Sequence, residues 1–187
     1  LQAAAERGAA GAAVSNLGHL PLCREAGLPM RGDWGLNVTN SETLRFLQRA
    51  GLRSAAVSFE LRAEQIRDLD KALPTEAVVY GRLPLMLTRN CPNRNGAGCS
   101  GCGDASSLKD RKGVSFPMIC DHICTQILNS VPLEMEDRKS DFSGMDFTVL
   151  RFTVENSVES EEKFHAFHSG QAPKDGFTRG LYYRGVD

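Results

Sequence analysis

Short apolar runs, each ended by a polar residue, recur along the first half of the chain at a nearly constant interval. Ala12-Ala13-Val14 runs into Ser15-Asn16, Trp34-Gly35-Leu36 into Asn37, Ala55-Ala56-Val57 into Ser58, and Val78-Val79 into Tyr80. The steps from Asn16 to Asn37 and from Asn37 to Ser58 are 21 residues each, and the step from Ser58 to Tyr80 is 22. That interval suits a strand followed by a helix. The helical segments lie between the runs and are clearest over residues 41–50. There Asn40 or Ser41 caps the start, Leu44 and Leu47 face inward, and Gly51 supplies a left-handed stop. Ala26-Gly27-Leu28 repeats that stop, Arg7-Gly8 reads as an earlier copy, and residues 62–73 read as a third helix closed by Pro74. A last unit pairs a strand over 147–152 with a helix over 160–167.

Strands alternating with helices predict an α/β fold with a parallel sheet, whose buried strands read as continuous small apolar runs. A full barrel of eight such units takes about 250 residues, so five units predict a partial parallel (β/α) TIM-like barrel built from its C-terminal strand–helix units. A small open doubly wound sheet fits the same count but lacks a Gly-rich phosphate fingerprint. The expected organisation is one domain over 1–187, with 1–81 and 141–170 as barrel units and 82–140 as an irregular Cys-rich insert. The insert carries a hairpin signal, in which Asp110-Arg111-Lys112-Gly113 separates Ser106–Lys109 from Val114-Ser115-Phe116. The chain opens on Leu1 in what reads as the back half of a helix, and predicts a piece of a longer gene product. A partial barrel leaves sheet edges unpaired, so self-association is expected.

Composition narrows the class. At 187 residues, 41% hydrophobic and 24% charged, the chain is too apolar for disorder and sized for a single core. Twenty-two Lys and Arg against 23 acids give a net charge of −1, which excludes a global basic field and leaves room only for a local basic patch. No run approaches the roughly 20 apolar residues that span a bilayer, and the first residues lack the order of a secretory signal. A soluble cytoplasmic protein with no membrane partner is expected.

Five of the six cysteines crowd into residues 91–124 as C-x7-C-x2-C-x17-C-x3-C, namely Cys91, Cys99, Cys102, Cys120 and Cys124, while Cys23 sits apart. In a reducing compartment such a cluster reads as metal-binding before disulfide-bonded. Gly96, Gly98, Gly101 and Gly103 make the backbone between the thiols supple enough to wrap an ion. Four thiolates suit tetrahedral zinc or an iron–sulfur cluster. Zinc ribbons usually show two C-x2-C knuckles, and only Cys99-Ser100-Gly101-Cys102 qualifies here, so the pattern leans toward a cluster with zinc as the alternative occupant. His122, between cysteines, is a further candidate ligand.

In a parallel barrel the chemistry sits at the C-terminal strand ends. Asn16, Asn37, Ser58 with Glu60, and Tyr80 with Arg82 fall there, against the simpler reading that the asparagines form turns. Glu60 is the acid immediately following an apolar strand. Trp34 and Phe59 read as barrel wall. His165 and His168, three apart, share a helix face or merely end it. The segment 177–184 interleaves aromatics with arginines, as single-strand nucleic-acid platforms do, or packs back onto its domain.

The residues also carry a family frame: glutamate, a hydrophobic strand with histidine, glycine, then two cysteines seven apart. Glu76, Gly81 and Cys91 lie on it without a gap, with Tyr80 where the histidine stands and Pro84 at the first cysteine. With Leu36-Asn37-Val38-Thr39-Asn40, Ser58-Phe59-Glu60-Leu61, Asp110-Arg111-Lys112-Gly113 and Phe177-Thr178-Arg179-Gly180, the chain resembles a divergent branch of peptidase family U32, the collagenase-like proteases. The resemblance implies the C-terminal part of the family's barrel domain. It implies two activities: peptide hydrolysis, as the family name says, or iron–sulfur-dependent, hydroxylation-type modification of RNA, as in several relatives. It offers no agreed catalytic residues, and the sequence shows no nucleophile–base pair. The implied assignments are a four-iron four-sulfur cluster on Cys91, Cys99, Cys102 and Cys124 with Cys120 in reserve, and Asn37, Glu60 and Arg82 orienting an RNA or peptide substrate. A non-catalytic metal- or RNA-binding module is the third reading.

Overall fold

The computed structural model describes residues 1–92, 106–120 and 123–184. The chain divides into two compact units: Leu1–Val79 with Arg138–Val149 and Arg179–Asp187, and Tyr80–Asp137 with Leu150–Thr178.

The first unit opens with α1 (Gln2–Glu6) and then alternates β1 (Ala12–Val14), α2 (His19–Glu25), β2 (Met30–Gly32), α3 (Ser41–Arg49), β3 (Leu52–Ala56), α4 (Ala63–Asp68) and the start of β4 (Thr75–Gly81). β1 pairs with β2, β2 with β3 and β3 with β4, all parallel. The sheet continues to β10 (Phe147–Arg151), in the order β1-β2-β3-β4-β10. This is a mixed α/β fold with a parallel sheet; among the described residues the sheet stays open and no closed barrel forms.

α3 shows why the period worked. The Asn40 side chain accepts the Thr43 N–H at 2.9 Å, Leu44 and Leu47 are buried, and Gly51 takes φ +89° to end the turn. The two leucines join Val14, Leu20, Cys23, Met30, Val38 and Ala55 in one cluster on the helix side of the sheet. Burying each contributes roughly 1.5–3 kcal/mol.

Two expected elements shift. The second strand is Met30–Gly32, and the run Trp34–Leu36 is a 3-10 turn closed by Asn37 at φ 46°, ψ 58°. Arg31 in the middle of that strand hides it from an apolar count. Gly35 lets the turn lie on β1's end, since a Cβ there would stand 2.7 Å from the Ser15 carbonyl oxygen. The third helix stops at Asp68, because residues 69–73 are held by α3 side chains instead of by their own helix. Ser41 Oγ accepts the Asp70 N–H at 2.9 Å, and Gln48 donates to the Ala72 carbonyl.

The aromatic tail packs back onto the first unit. Tyr182 is 1% exposed, meets the Phe142 ring edge-on at 5.0 Å, donates to the Val78 carbonyl at 2.5 Å, and accepts the Ala63 N–H at its own carbonyl at 3.0 Å.

In the second unit, β5 (Pro84–Thr88), β6 (Ser107–Lys109), β7 (Ser115–Cys120) and β8 (Thr125–Leu128) form an antiparallel sheet in the order β5-β8-β7-β6. The predicted hairpin is present as β6–β7. β9 (Leu133–Glu134) pairs antiparallel with Tyr80 and Gly81. α5 (Ser157–Ser169) is longer than expected because Asn156 and Glu159 form a capping box at its start. Lys163 of α5 reaches the buried Glu134 at 2.6 Å and Glu136 at 4.0 Å, beside an open cleft of about 860 Å3 that His165, Lys174 and Asp175 also line. No helix among the described residues is long and apolar enough to cross a membrane.

Candidate functional site

The C-terminal ends of β1, β2 and β3 form one rim of the first unit. A parallel bridge joins Val38 to Val57, and the Ser58 N–H donates to the Val38 carbonyl at 2.8 Å, which brings the segments bearing Asn37 and Glu60 side by side. Both side chains are exposed. Asn16 is a turn former, since its Oδ1 accepts the Gly18 N–H at 2.8 Å, and the buried Ser58 accepts the Glu60 N–H at 3.2 Å. Trp34 and Phe59, expected as barrel wall, are half-buried after β2 and β3 with ring centroids 6.0 Å apart. Arg82 belongs to the second unit and donates to the carbonyls of Asn129 and Ser130, closing the turn after β8. Its guanidinium is thus bound to backbone oxygens.

A row of polar groups crosses the sheet behind that rim, and sequence reasoning missed it. Arg31 Nε donates to Glu76 Oε2 at 2.6 Å, and Ser54 Oγ donates to Glu76 Oε1 at 2.6 Å. Arg31 also lies 3.8 Å from Asp33, whose other oxygen accepts Ser15 Oγ at 3.2 Å. The register explains the row. Gly32 pairs with Ala55 on the helix side, and a register shift between Met30 and Arg31 brings Arg31 opposite Ser54, so these two, each one residue before that pair, project from the opposite face. Glu76 is 3% exposed, whereas the Arg31 side chain is 37% exposed. Arg31 therefore neutralises a buried carboxylate while keeping part of its guanidinium in water. The available signal was Glu76 itself, an acid at the second position of an apolar strand.

Cys91, Cys120 and Cys124 lie on or beside strand ends at one end of the second unit's sheet. Thr88 of β5 and Cys120 of β7 both pair with Thr125 of β8. Cys91 lies three residues beyond Thr88, and Cys124 immediately precedes Thr125. Cys91 and Cys124 are half-buried and Cys120 is exposed, while Cys23 is buried in the first unit's core. No disulfide joins any two of the described cysteines. Cys99, Cys102 and His122 lie outside the described residues. Among the described residues no three His, Cys, Asp or Glu side chains converge tightly enough to hold a metal ion. His165 and His168 both pack on Phe164, with centroids 6.0 and 4.4 Å away, and His165 stands 3.9 Å from Glu161.

The family model of peptidase family U32 matches residues 1–97, more than half of the 187. The chain belongs to peptidase family U32. No curated protein and no solved structure matches it. Within the U32 match fall the rim residues Asn37 and Glu60, the row Arg31–Ser54–Glu76, and Gly81, Arg82 and Cys91; Cys120, Cys124, β6 to β10 and α5 lie beyond it.

Two residues of the U32 frame have clear local roles. Gly81 adopts φ +128° where β10 passes closely: a Cβ there would stand 2.3 Å from the Arg151 carbonyl oxygen. Tyr80 donates to Glu155 Oε1 at 3.1 Å and stacks obliquely on Phe152 at 5.4 Å. Glu155 Oε2 in turn accepts the N–H groups of Thr153 and Val154, so the loop after β10 closes over the tyrosine.

All three tyrosines of this U32 chain hold their protons tightly. Burial, followed by the nearby Glu155 carboxylate, raises Tyr80; burial alone raises Tyr182; burial and the hydrogen bond to Asp141 push Tyr183 up to about 12. A phenol whose folded value is raised contributes stability that is complete below about pH 10, the unfolded value, and is lost as pH rises through the folded value. The folded chain will therefore show almost no tyrosinate absorbance at pH 10, whereas in denaturant all three will titrate around that pH. A tyrosine ionising normally in the folded chain would contradict this.

Proposed function

We propose that the chain is an arc of a (β/α) barrel from an iron–sulfur-dependent enzyme that modifies RNA by a hydroxylation-type reaction. The barrel reading is supported by strand order: β1-β2-β3-β4-β10 follows the chain without the reversal that marks a doubly wound sheet. The observation that carries the cofactor is the register bringing Cys91, Cys120 and Cys124 to one end of the β5–β8–β7 sheet. The donor set suits the group in kind, because cysteine thiolates are the ligands such clusters take. Cys91 and Cys124 would hold it with Cys99 and Cys102, and Cys120 stands in reserve. Bound there, the cluster would supply one-electron chemistry. The chain's own contribution is to hold substrate: Asn37 and Glu60 offer an amide and a carboxylate to its polar groups, and the Arg31–Glu76 pair stiffens the sheet behind them. Arg82, proposed with them, acts through the turn at Asn129 and Ser130 that it fastens.

Anaerobic reconstitution tests the reading. We expect visible absorption and about four iron atoms per chain, with Cys91→Ser or Cys124→Ser each removing most of the iron while the far-ultraviolet spectrum stays unchanged. Failure to retain iron under reducing conditions overturns the cluster, and stoichiometric zinc would replace it with the alternative occupant. Gelatin cleavage by a clean preparation, lost on Glu60→Gln, would favour the peptidase reading instead.

A further inference from the structure

The net charge of the chain is −1, and several of its cations are held by acids: Arg31 by Glu76, Arg45 by Asp70, Arg62 by Glu64 and Lys163 by Glu134. The β6–β7 hairpin differs. Lys109, Arg111 and Lys112 are exposed at its tip, and none of them forms an ion pair among the described residues. The acid between them, Asp110, is exposed, and one of its oxygens is taken up by the turn itself. Asp110 Oδ1 accepts the N–H groups of Lys112 at 2.8 Å and Val114 at 2.9 Å, and the Gly113 N–H donates to the Asp110 carbonyl at 3.1 Å. With Lys109 opposite Ser115 and Leu108 opposite Phe116, the tip presents its three cations on a ribbon of fixed register.

We propose that this tip contacts the phosphate backbone of a nucleic acid. The inference rests on the RNA reading above and gives it a location. A nucleic-acid strand carries one negative phosphate per nucleotide, so the three cations crowded on one hairpin tip are matched by neighbouring phosphates of a single strand. An anionic membrane is the poorer match. Surface recognition of that kind takes clusters of about four to eight basic residues, and the tip carries three. The tip also stands at the opposite end of β7 from Cys120: Lys109 pairs with Ser115 at the start of that strand, and Cys120 ends it. A bound strand held at the tip would leave the cysteine end uncovered.

The test is fluorescence anisotropy of a labelled single-stranded RNA with the full chain across a salt series. Lys109→Gln, Arg111→Gln and Lys112→Gln together should weaken binding about tenfold or more. They should also flatten the log–log salt slope by about two, because each phosphate that a side chain neutralises adds about 0.7 to it. The charge-preserving exchange Lys109→Arg, Arg111→Lys, Lys112→Arg should bind as the unaltered chain does. Neutralising the exposed Arg7, Arg49 and Arg53 of the first unit in the same way should change affinity by less than about twofold. If the hairpin variant binds RNA as well as the unaltered chain, the tip is not the contact although the RNA reading stands. If the unaltered chain binds no RNA, both fail. Retention on phosphatidylserine vesicles without RNA binding likewise overturns the proposal.

Discussion

Replacing Arg31 by methionine will cost about 3–5 kcal/mol of stability, the usual penalty for leaving a buried charge without its partner. Glu76 is 3% exposed, and with Arg31 gone only the Ser54 hydroxyl still donates to it among the described residues. The reciprocal change will be milder. Glu76→Gln leaves a guanidinium that is already 37% exposed, so water takes over much of its solvation and the loss should be nearer 1–3 kcal/mol. The two single variants are therefore unequal, in the order set by exposure. Combining Arg31→Met with Glu76→Leu removes both charges and should recover most of the stability, since apolar replacements of buried pairs are often neutral. Urea unfolding of the three variants measures this. Equal losses in the two single variants, or a double variant that loses the sum of both, would show that the two charges do not act as a pair.

Gly81→Ala will be the most damaging glycine substitution, at about 3 kcal/mol or more. The backbone there sits at φ +128°, a conformation costly for any residue with a Cβ. The obstacle is moreover the Arg151 carbonyl oxygen at 2.3 Å, main chain that no rotamer change can move aside. Relief requires β4 and β10 to separate at this point. Gly113→Ala is the control. It has φ +81° but nothing within 4 Å of a new Cβ, so only the conformational cost of about 1 kcal/mol remains. Chemical denaturation of both variants distinguishes close approach from backbone conformation alone; similar midpoints would remove the β10 contact from the account.

The parts of this fold that the sequence revealed are those governed by neighbours along the chain. Asn40, Leu44, Leu47 and Gly51 mark α3 because capping, amphipathic spacing and the left-handed stop all act within one helix. The Asp110–Gly113 turn was equally legible, since its hydrogen bonds close within five residues. What escaped depends on partners distant in sequence. Arg31 and Glu76 are 45 residues apart, and although an acid inside an apolar strand is conspicuous, nothing near Glu76 in sequence names Arg31 as its partner. β2 went unread because a three-residue strand with a central arginine leaves no periodic trace. Trp34–Leu36, by contrast, is apolar enough to imitate a strand while being wound as a turn. The thiol cluster was visible as spacing, but the common end shared by Cys91, Cys120 and Cys124 follows from β5, β7 and β8 pairing out of chain order, which spacing does not encode.

The burial of Tyr182 between Phe142, α4 and the Val78 carbonyl has a kinetic consequence. Residues 104 positions apart must meet before the first unit's core is sealed, which raises its contact order and slows its formation. During synthesis, β1 to β4 must wait, with part of their apolar surface uncovered, until Tyr182, 104 positions beyond Val78, leaves the ribosome. Nascent chains halted before Arg179 should accordingly be the ones that chaperones retain.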